Sequence, residues 1–485
     1  MSITMIQTLG ELKESGYQPI SVKEELRKNL IFKLQNKEEI FKGIIGFEDT
    51  VVPDIQRAIL SRHSMLLLGL RGQAKTKIAR LLINLMDEYI PFVKGSEIND
   101  DPLRPLSKYA KELIAELGDA TPIEWLHRND RYVEKLATPD VSVADLIGDV
   151  DPIKAATLKL PYSDERVLHF GLVPRANRCL FVINELPDLQ ARIQVSLFNI
   201  LQEGDMQIRG FKLRLPLDVE FVFTANPEDY TNRGSIVTPL KDRIQSQILT
   251  HYPKTSAISK SITQSESKLH QDQISKITVP ELHKDLLEQL VIEARNSEYT
   301  DEKSGVSARM SIAAMENLVS TAERRMLLNG ESQTTTRITD FWGVIPAITG
   351  KLELVYEGEQ EGIYNVVMKL LDRAVKHYFD QRFTNPEKSL SRDPYGTVKV
   401  WFQSGNTIDL LLDDSDKNYK DQLDSVAGLA KLVENFNITK DIYPYMELVV
   451  HGLTAYQIIG RNYMENKFLF EDPLGRLLDD DDDEV

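Results

Sequence analysis

Short apolar runs alternate with amphipathic segments in the first half of the chain. Apolar runs at Met65–Leu68, at residues 180–183 and at Val219–Ala225 have the length and composition of buried strands. Between and around these runs, residues 51–59 and 194–202 carry apolar side chains at the spacing of one helix face. Strands that alternate with helices predict an α/β fold, in which a mainly parallel sheet lies in a three-layered core.

More polar segments separate these elements. Residues 90–93 form a candidate second strand, whereas residues 100–137 resemble an insertion more than a part of the core. Residues 206–215 alternate polar and apolar positions around Arg209-Gly210-Phe211, and this pattern predicts a β-hairpin.

The pattern becomes mainly helical after about residue 255. Apolar positions at helical spacing cover residues 280–330 and 338–383. Two strand-like runs, 398–402 and 407–412, flank the turn signal Ser404-Gly405-Asn406 and predict a second hairpin. Further helices are predicted at 424–436 and 445–468.

These patterns divide the 485 residues into five predicted regions. They are an N-terminal lead-in (1–35), an α/β nucleotide-binding domain (36–255), a helical lid domain (256–350), a C-terminal α+β region (351–475) and an acidic disordered tail (476–485).

The most informative motif follows the first buried strand. A loop with two glycines leads into Lys-Thr and then into a helical pattern, which is the order of a phosphate-binding loop. Its predicted nucleotide-binding residues are Gly69, Leu70, Arg71, Gly72, Gln73, Ala74, Lys75 and Thr76. Backbone N–H groups of the loop can contact phosphate oxygens, Lys75 can reach the β- and γ-phosphates, and the Thr76 hydroxyl can ligate Mg²⁺. Ala74 stands where the consensus has glycine.

Polar residues follow the two later strands. Asn184 and Glu185 come directly after the run at 180–183, and Asn226 follows Ala225. A carboxylate at the C-terminal edge of a strand beside the loop can polarise the attacking water, so Glu185 is the candidate base. Asn226 can hydrogen-bond water or the γ-phosphate. Asn184 occupies the position where nucleotide hydrolases usually place aspartate, and its lack of charge suggests weak Mg²⁺ affinity or slow turnover.

Two arginines are candidates for stabilising phosphoryl charge. Arg243 lies in the segment Pro239-Leu240-Lys241-Asp242-Arg243, and Arg309 lies at the predicted start of a helix. Guanidinium groups neutralise charge on a transferring phosphoryl group, whether they come from the same subunit or from a neighbour.

Charge and cysteine content exclude several alternatives. The net charge of −16 argues against broad binding to nucleic acid or to anionic lipid, although Arg209, Lys212 and Arg214 form a small basic patch on the predicted hairpin. The single cysteine, Cys179, rules out an intrachain disulfide and fits a reducing, cytoplasmic location. No apolar run has the length of a membrane span, the first 14 residues lack a signal-peptide core, and no His/Cys spacing suggests zinc.

Together these segments resemble the AAA+ ATPases, in particular the branch of the MoxR-type ATPases and the ATPase subunit of magnesium chelatase. The resemblance covers roughly residues 35–345. It rests on the phosphate loop, on 180–185, on Gln202-Glu203-Gly204 with the hairpin after it, on Thr224-Ala225-Asn226-Pro227, on Asp242-Arg243 and on Ala308-Arg309. In this family, residues 151–170 would hold an insertion in the second helix.

The resemblance implies an ATP- and Mg²⁺-dependent ring oligomer, commonly a hexamer, with chaperone-like remodelling of a partner. Glu185 would activate water, Asn226 would position it, Asn184 and Thr76 would face the metal, Arg243 would reach a neighbour's γ-phosphate, and Arg309 would report nucleotide state. Proteins with a von Willebrand factor A domain are typical partners. Two alternatives remain open: the motor subunit of a magnesium chelatase in tetrapyrrole synthesis, and a nucleotide switch or scaffold that hydrolyses slowly or not at all.

Overall fold

The chain folds into two units. The computed structural model describes residues 5–161, 164–207, 214–227, 235–301, 305–388, 393–464 and 467–473. The division between the units falls between Tyr252 and Pro253. The five predicted regions stay predictions, and the predicted acidic tail at 476–485 lies outside the described residues.

A five-stranded parallel sheet forms the centre of the first unit. The strands of this unit are β1 (Met65–Leu68), β2 (Tyr89–Val93), β3 (Ile123–His127), β4 (Tyr132–Leu136), β5 (Gly148–Val150), β6 (Leu168–Phe170), β7 (Cys179–Asn184), β8 (Asp205–Gln207), β9 (Arg214–Pro216), β10 (Val219–Ala225) and β11 (Ser246–Leu249). The order across the central sheet is β11-β1-β10-β7-β4, and each neighbouring pair is parallel. The predicted α/β class with a mainly parallel sheet is therefore confirmed.

Helices precede and follow these strands in the first unit. They are α1 (Leu9–Glu14), α2 (Val22–Gln35), α3 (Val51–Leu60), α4 (Lys75–Leu81), α5 (Lys108–Leu117), α6 (Val143–Leu146), α7 (Pro152–Leu158), α8 (Leu172–Arg175), α9 (Ala191–Ser196), α10 (Phe198–Glu203) and α11 (Thr238–Arg243). The predicted helix at 194–202 is thus two short helices, because the chain turns at Leu197.

Alternate residues of the central strands pack into two different apolar clusters. Leu66, Phe181 and Phe223 belong to the cluster on one face of the sheet. Leu67 and Val182 belong to the other, together with apolar residues of α2, α3 and α4. Because successive side chains of a strand point to opposite faces, both faces of the sheet are covered, and the predicted three-layered arrangement is confirmed.

The predicted second strand and the predicted insertion both need correction. Residues 90–93 do form a strand, but β2 pairs antiparallel with β3 and lies outside the central sheet. The fifth strand of the central sheet is β4, which lies within the segment 100–137 that resembled an insertion. It is an edge strand with partly exposed side chains, so its sequence lacks the apolar run of a buried strand.

The hairpin predicted at 206–215 is confirmed in its described part. The strands β8 and β9 pair antiparallel, with Met206 opposite Leu215. Residues 208–213, including Arg209 and Lys212, lie outside the described residues. The segment 151–170 forms α7 between β5 and β6, which pair antiparallel.

The second unit is a helical region followed by a small antiparallel sheet. Its helices are α12 (Ser256–Glu266), α13 (Gln271–Lys276), α14 (Glu281–Arg295), α15 (Ala308–Leu328), α16 (Ile345–Thr349), α17 (Tyr356–Glu361), α18 (Ile363–Arg382), α19 (Gly396–Gln403), α20 (Asp416–Ser425), α21 (Leu429–Asn435) and α22 (Ile442–Ala455). Its strands are β12 (Ile277–Thr278), β13 (Thr334–Thr335), β14 (Ile408–Leu411), β15 (Gly460–Met464) and β16 (Lys467–Glu471). A helical region with a C-terminal α+β extension was predicted here, and it is confirmed.

Two predictions in the C-terminal region are wrong in detail. Residues 398–402 belong to helix α19, and they are buried at Val398 and Phe402, which lie one helical turn apart. The strand β14 therefore has no hairpin partner there and pairs with β16 instead. The helix predicted at 445–468 ends at Ala455, and the chain after it forms the hairpin of β15 and β16.

In the part of the chain that the structure describes, no helix is long and apolar enough to cross a membrane.

A buried carboxyl group on β10 links the stability of the first unit to pH. Glu220 is 2% exposed, and the Lys23 ammonium lies 3.6 Å from its carboxylate. Burial raises the pKa of Glu220 from its ordinary 4.5 to about 8, while Lys23 lowers it. Between these two pKa values the folded state keeps a proton that the unfolded state loses. The free energy of unfolding therefore falls as the pH rises from about 4.5 to about 8, and it levels off above that range.

Glu220→Gln should remove this dependence, because the amide is neutral at every pH. We expect the melting temperature of the variant, relative to the parent, to be higher at pH 8 than at pH 5. Thermal unfolding at the two pH values measures the difference. A difference that is the same at both would contradict a protonated Glu220 in the folded state.

Candidate functional site

The C-terminal ends of four central strands meet at one edge of the sheet. Leu68 of β1 pairs with Ala225 of β10 and with Leu249 of β11, while Phe223 of β10 pairs with Ile183 of β7. The residues that follow these strand ends are therefore neighbours in space. In open parallel sheets this edge is where ligands bind.

The loop after β1 has a conformation that depends on its small residues. A Cβ atom on Gly69 would lie 2.0 Å from Thr250 Oγ1, so any larger residue would displace the Thr250 and Gln73 side chains. Gly72 and Ala74 both have positive φ angles, of 74° and 54°. Successive backbone N–H groups in such turns form concave sites for anions. Ala74 takes the left-handed conformation that glycine, the consensus residue, adopts without cost.

Two residues after β11 support this loop, and the sequence analysis did not identify them. The Thr250 hydroxyl donates a hydrogen bond of 2.6 Å to Gln73 Oε1, and Gln73 is buried. The Tyr252 hydroxyl donates to the backbone carbonyl of Arg71 at 3.2 Å. The sequence carried no signal for them, because only the pairing of β11 with β1 brings Thr250 to the loop.

The predicted lysine, asparagine and glutamate form a continuous hydrogen-bonded series. Lys75 is 7% exposed, and its Nζ donates to the carbonyl of Leu70 at 2.9 Å and to Asn226 Oδ1 at 2.7 Å. Asn226 Nδ2 in turn donates to Glu185 Oε2 at 3.0 Å. Residues that are about 150 positions apart in sequence are thereby brought to one site.

The backbone at Glu185 is in an uncommon conformation. Its φ and ψ angles are 55° and 50°, in the left-handed region that costs an L-residue about 1–2 kcal/mol. The N–H of Glu185 donates to Thr224 Oγ1 at 3.2 Å, and this contact helps to hold the turn after β7. Strain of this kind is found where a side chain must be presented in a fixed direction.

The two predicted metal-facing residues differ in their surroundings. Thr76 lies in the first turn of α4, next to Lys75, and its half-buried hydroxyl fits a Mg²⁺ ligand beside bound phosphates. Asn184 is 8% exposed, and both ends of its amide are engaged: Nδ2 donates to Glu134, and Oδ1 accepts from the Thr224 hydroxyl at 3.1 Å. Within the described ranges, no group of three or more His, Cys, Asp or Glu side chains could hold a metal by itself.

Arg243 lies at the end of α11 and not within the hydrogen-bonded series. Its Nε donates to Gln202 Oε1 at 2.9 Å, its Nη1 donates to the Pro239 carbonyl at 2.7 Å, and its guanidinium lies 4.9 Å from the centre of the Phe198 ring. These contacts hold the side chain against α10, and none of the three contacted residues belongs to the phosphate loop.

Arg309 belongs to the second unit. It is exposed in the first turn of α15, where its backbone N–H donates to the N-cap residue Ser307 at 3.1 Å. Its predicted role as a sensor of nucleotide state stays a prediction. Of the predicted basic patch, only Arg214 is described; it is exposed and lies 3.7 Å from the carboxylate of Asp205.

No protein-family model matches the chain. Solved structures similar to it include a proposed ATPase from Cytophaga hutchinsonii, at 16% identity and a TM-score of 0.30 over 74% of this chain and 97% of that one. Another is a reconstruction of BchI with BchD of magnesium chelatase, at 20% identity and a TM-score of 0.34 over 66% and 98%. NtrX from Brucella abortus with ATP aligns at 13% identity and a TM-score of 0.35 over 60% and 52%. All three TM-scores lie below 0.5, so the function has to follow from this chain's own residues.

Proposed function

We propose that the chain is an ATP-hydrolysing AAA+ motor of the MoxR and magnesium-chelatase branch, which remodels or activates a partner protein. The observation that carries this proposal is the series Lys75–Asn226–Glu185 beside the phosphate loop. In the proposed reaction these residues would supply a cation for the phosphates, an amide for orientation and a carboxylate for the attacking water.

Each of these residues has one task in the proposed reaction. The loop amides and the Lys75 ammonium bind the phosphates of ATP and fix the γ-phosphate near the sheet edge. Glu185 takes a proton from the attacking water, and Asn226, which already donates to Glu185, holds the carboxylate and the water in line. The Thr76 hydroxyl would help to hold Mg²⁺, which when bound would supply positive charge against the charge that develops on the phosphate oxygens.

We further propose that the active form is a ring oligomer, hexameric as in the resembling family. The contacts of Arg243 support this proposal, because they keep its guanidinium on α10 and away from the phosphate loop of its own chain. Its reactive partner would then be the nucleotide of a neighbouring subunit. A von Willebrand factor A domain protein is the partner class that the resemblance suggests.

A slowly hydrolysing nucleotide switch is the second candidate. The observation in its favour is Asn184, whose amide carries no charge and whose oxygen already accepts from Thr224. Steady-state ATP hydrolysis with Mg²⁺, measured together with oligomer size by light scattering, separates the two. Turnover with ATP-dependent assembly supports the motor, whereas tight ATP binding without turnover supports the switch.

Arg243→Ala tests the proposed contribution between subunits. We expect turnover to fall by about 10³-fold with ATP binding retained, because an arginine of this kind acts on the transition state. Lys241→Ala, in the same helix, is the control and should change turnover little.

Mixing subunits of two inactive variants tests this prediction most directly. Arg243→Ala subunits keep their own Glu185, and Glu185→Gln subunits can supply Arg243 to them. Mixed oligomers of the two inactive variants should therefore regain part of the activity. If mixing restores nothing, Arg243 does not act across a subunit boundary.

A further inference from the structure

Asn184, which stands where nucleotide hydrolases usually have aspartate, contacts a carboxylate that was not among the predicted site residues. Glu134 is in β4, the strand next to β7, and its Oε1 accepts a hydrogen bond from Asn184 Nδ2. The other end of the amide accepts from the Thr224 hydroxyl. Because an ionised carboxylate only accepts hydrogen bonds, Glu134 fixes which end of the Asn184 amide faces it.

The register of the sheet places Glu134 under the helix that follows the phosphate loop. Glu134 pairs with Val182, two residues before Asn184, so both polar side chains point to the face on which α4 packs. On α4, Thr76 and Arg80 are four residues apart and share one side of the helix. Arg80 Nε and Nη2 donate to Glu134 Oε2 at 3.1 and 2.9 Å.

We propose that Glu134 is the carboxylate that supplies the missing charge of the magnesium site. Its carboxylate lies beside Asn184 on the neighbouring strand, and it acts as a positioning residue through the Asn184 amide, with Arg80 as its counter-ion. This proposal rests on the proposed function, since it requires that Mg²⁺ binds with ATP next to Thr76.

The same geometry explains why a restored aspartate would not fit. Asn184→Asp would place two carboxylates at hydrogen-bond distance with no donor between them, which destabilises the folded protein. In Asn184→Asp with Glu134→Gln, the charge and the amide have exchanged places. The hydrogen bond is then restored with the opposite polarity, because the glutamine amide donates to the aspartate.

The first measurement uses the protein without nucleotide or Mg²⁺. Thermal unfolding of the parent, Asn184→Asp, Glu134→Gln and the double variant forms a double-mutant cycle, which measures the coupling between the two positions. We expect Asn184→Asp to lower the melting temperature and the added Glu134→Gln to recover most of that loss. Additive effects of the two substitutions would overturn the proposed coupling.

The second measurement is a Mg²⁺ titration at constant fluorescent ATP analogue, which reports binding and not turnover. We expect Glu134→Gln to raise the Mg²⁺ concentration at the midpoint about tenfold, the loss of one charge-assisted contact. The midpoint of the double variant should return toward that of the parent. Arg80→Ala, which removes the counter-ion of Glu134, should lower the midpoint. Glu124→Gln, an exposed carboxylate on β3, is the charge-matched control.

Two outcomes tell the proposals apart. If the parent binds the analogue with a Mg²⁺-dependent midpoint and Glu134→Gln leaves that midpoint unchanged, the role of Glu134 is overturned and the proposed function stands. If the parent shows no Mg²⁺-dependent nucleotide binding, the proposed function fails and the role of Glu134 fails with it.

Discussion

Lys75→Ala is expected to weaken ATP binding by about 10- to 100-fold and to remove turnover. The expectation follows from a buried ammonium that is already aimed at the centre of the site: it donates to Asn226 and to the loop carbonyls of Gly69 and Leu70. A hydrogen bond to a charged group contributes about 1.5–3 kcal/mol, and about 1.4 kcal/mol corresponds to a tenfold change in affinity.

Equilibrium binding of a fluorescent ATP analogue measures this effect. Lys77→Ala is the matched control, because Lys77 lies in the same helix but donates to the carbonyl of Gly43. It should bind nucleotide as the parent does. Thermal unfolding without nucleotide shows whether Lys75→Ala also loosens the loop. Unchanged affinity in Lys75→Ala with a parent-like melting temperature would mean that the loop does not bind phosphate.

The parts of this site that could be predicted are those encoded by contiguous sequence. A buried strand needs an apolar run, and the polar residue that ends it lies at the sheet edge, so Glu185 and Asn226 could be placed from the pattern alone. The loop from Gly69 to Thr76 could also be predicted, because phosphate binding requires a particular order of residue types in a contiguous segment.

The parts that could not be predicted depend on tertiary contacts. Glu134 lies on an edge strand, where half-exposed positions accept polar residues and the strand pattern disappears. Its partner Asn184 is 50 residues away in sequence, and only the register of β4 against β7 makes them neighbours. Thr250 meets Gln73 in the same way, through the pairing of β11 with β1.

In the C-terminal region the local pattern was ambiguous and tertiary packing decided it. Residues 398–402 combine β-branched and aromatic residues, which favour strands, but the buried Val398 and Phe402 are spaced as in a helix. The strands β15 and β16 pair with each other, and β16 also pairs with β14, a contact over about 60 residues that periodicity alone does not indicate.

Glu185→Gln is expected to reduce ATP turnover by about 10² to 10⁴-fold, the contribution of a general base. Glutamine keeps the length of the side chain, and its Oε1 can still accept the hydrogen bond from Asn226 Nδ2. The contact of Asn226 with Lys75 is therefore preserved, and ATP affinity should remain within a few-fold of the parent.

The combination of lost turnover and kept affinity separates a base from a structural residue. Single-turnover hydrolysis and binding of the fluorescent analogue should be measured on the same preparation, with Glu97→Gln, an exposed carboxylate paired with Lys154, as the control. If binding and turnover fall together, Glu185 maintains the strained turn after β7 and another group activates water. If turnover alone falls while ATP still drives assembly, Glu185 is the base, and the ATP-bound variant would be the form in which to capture the partner.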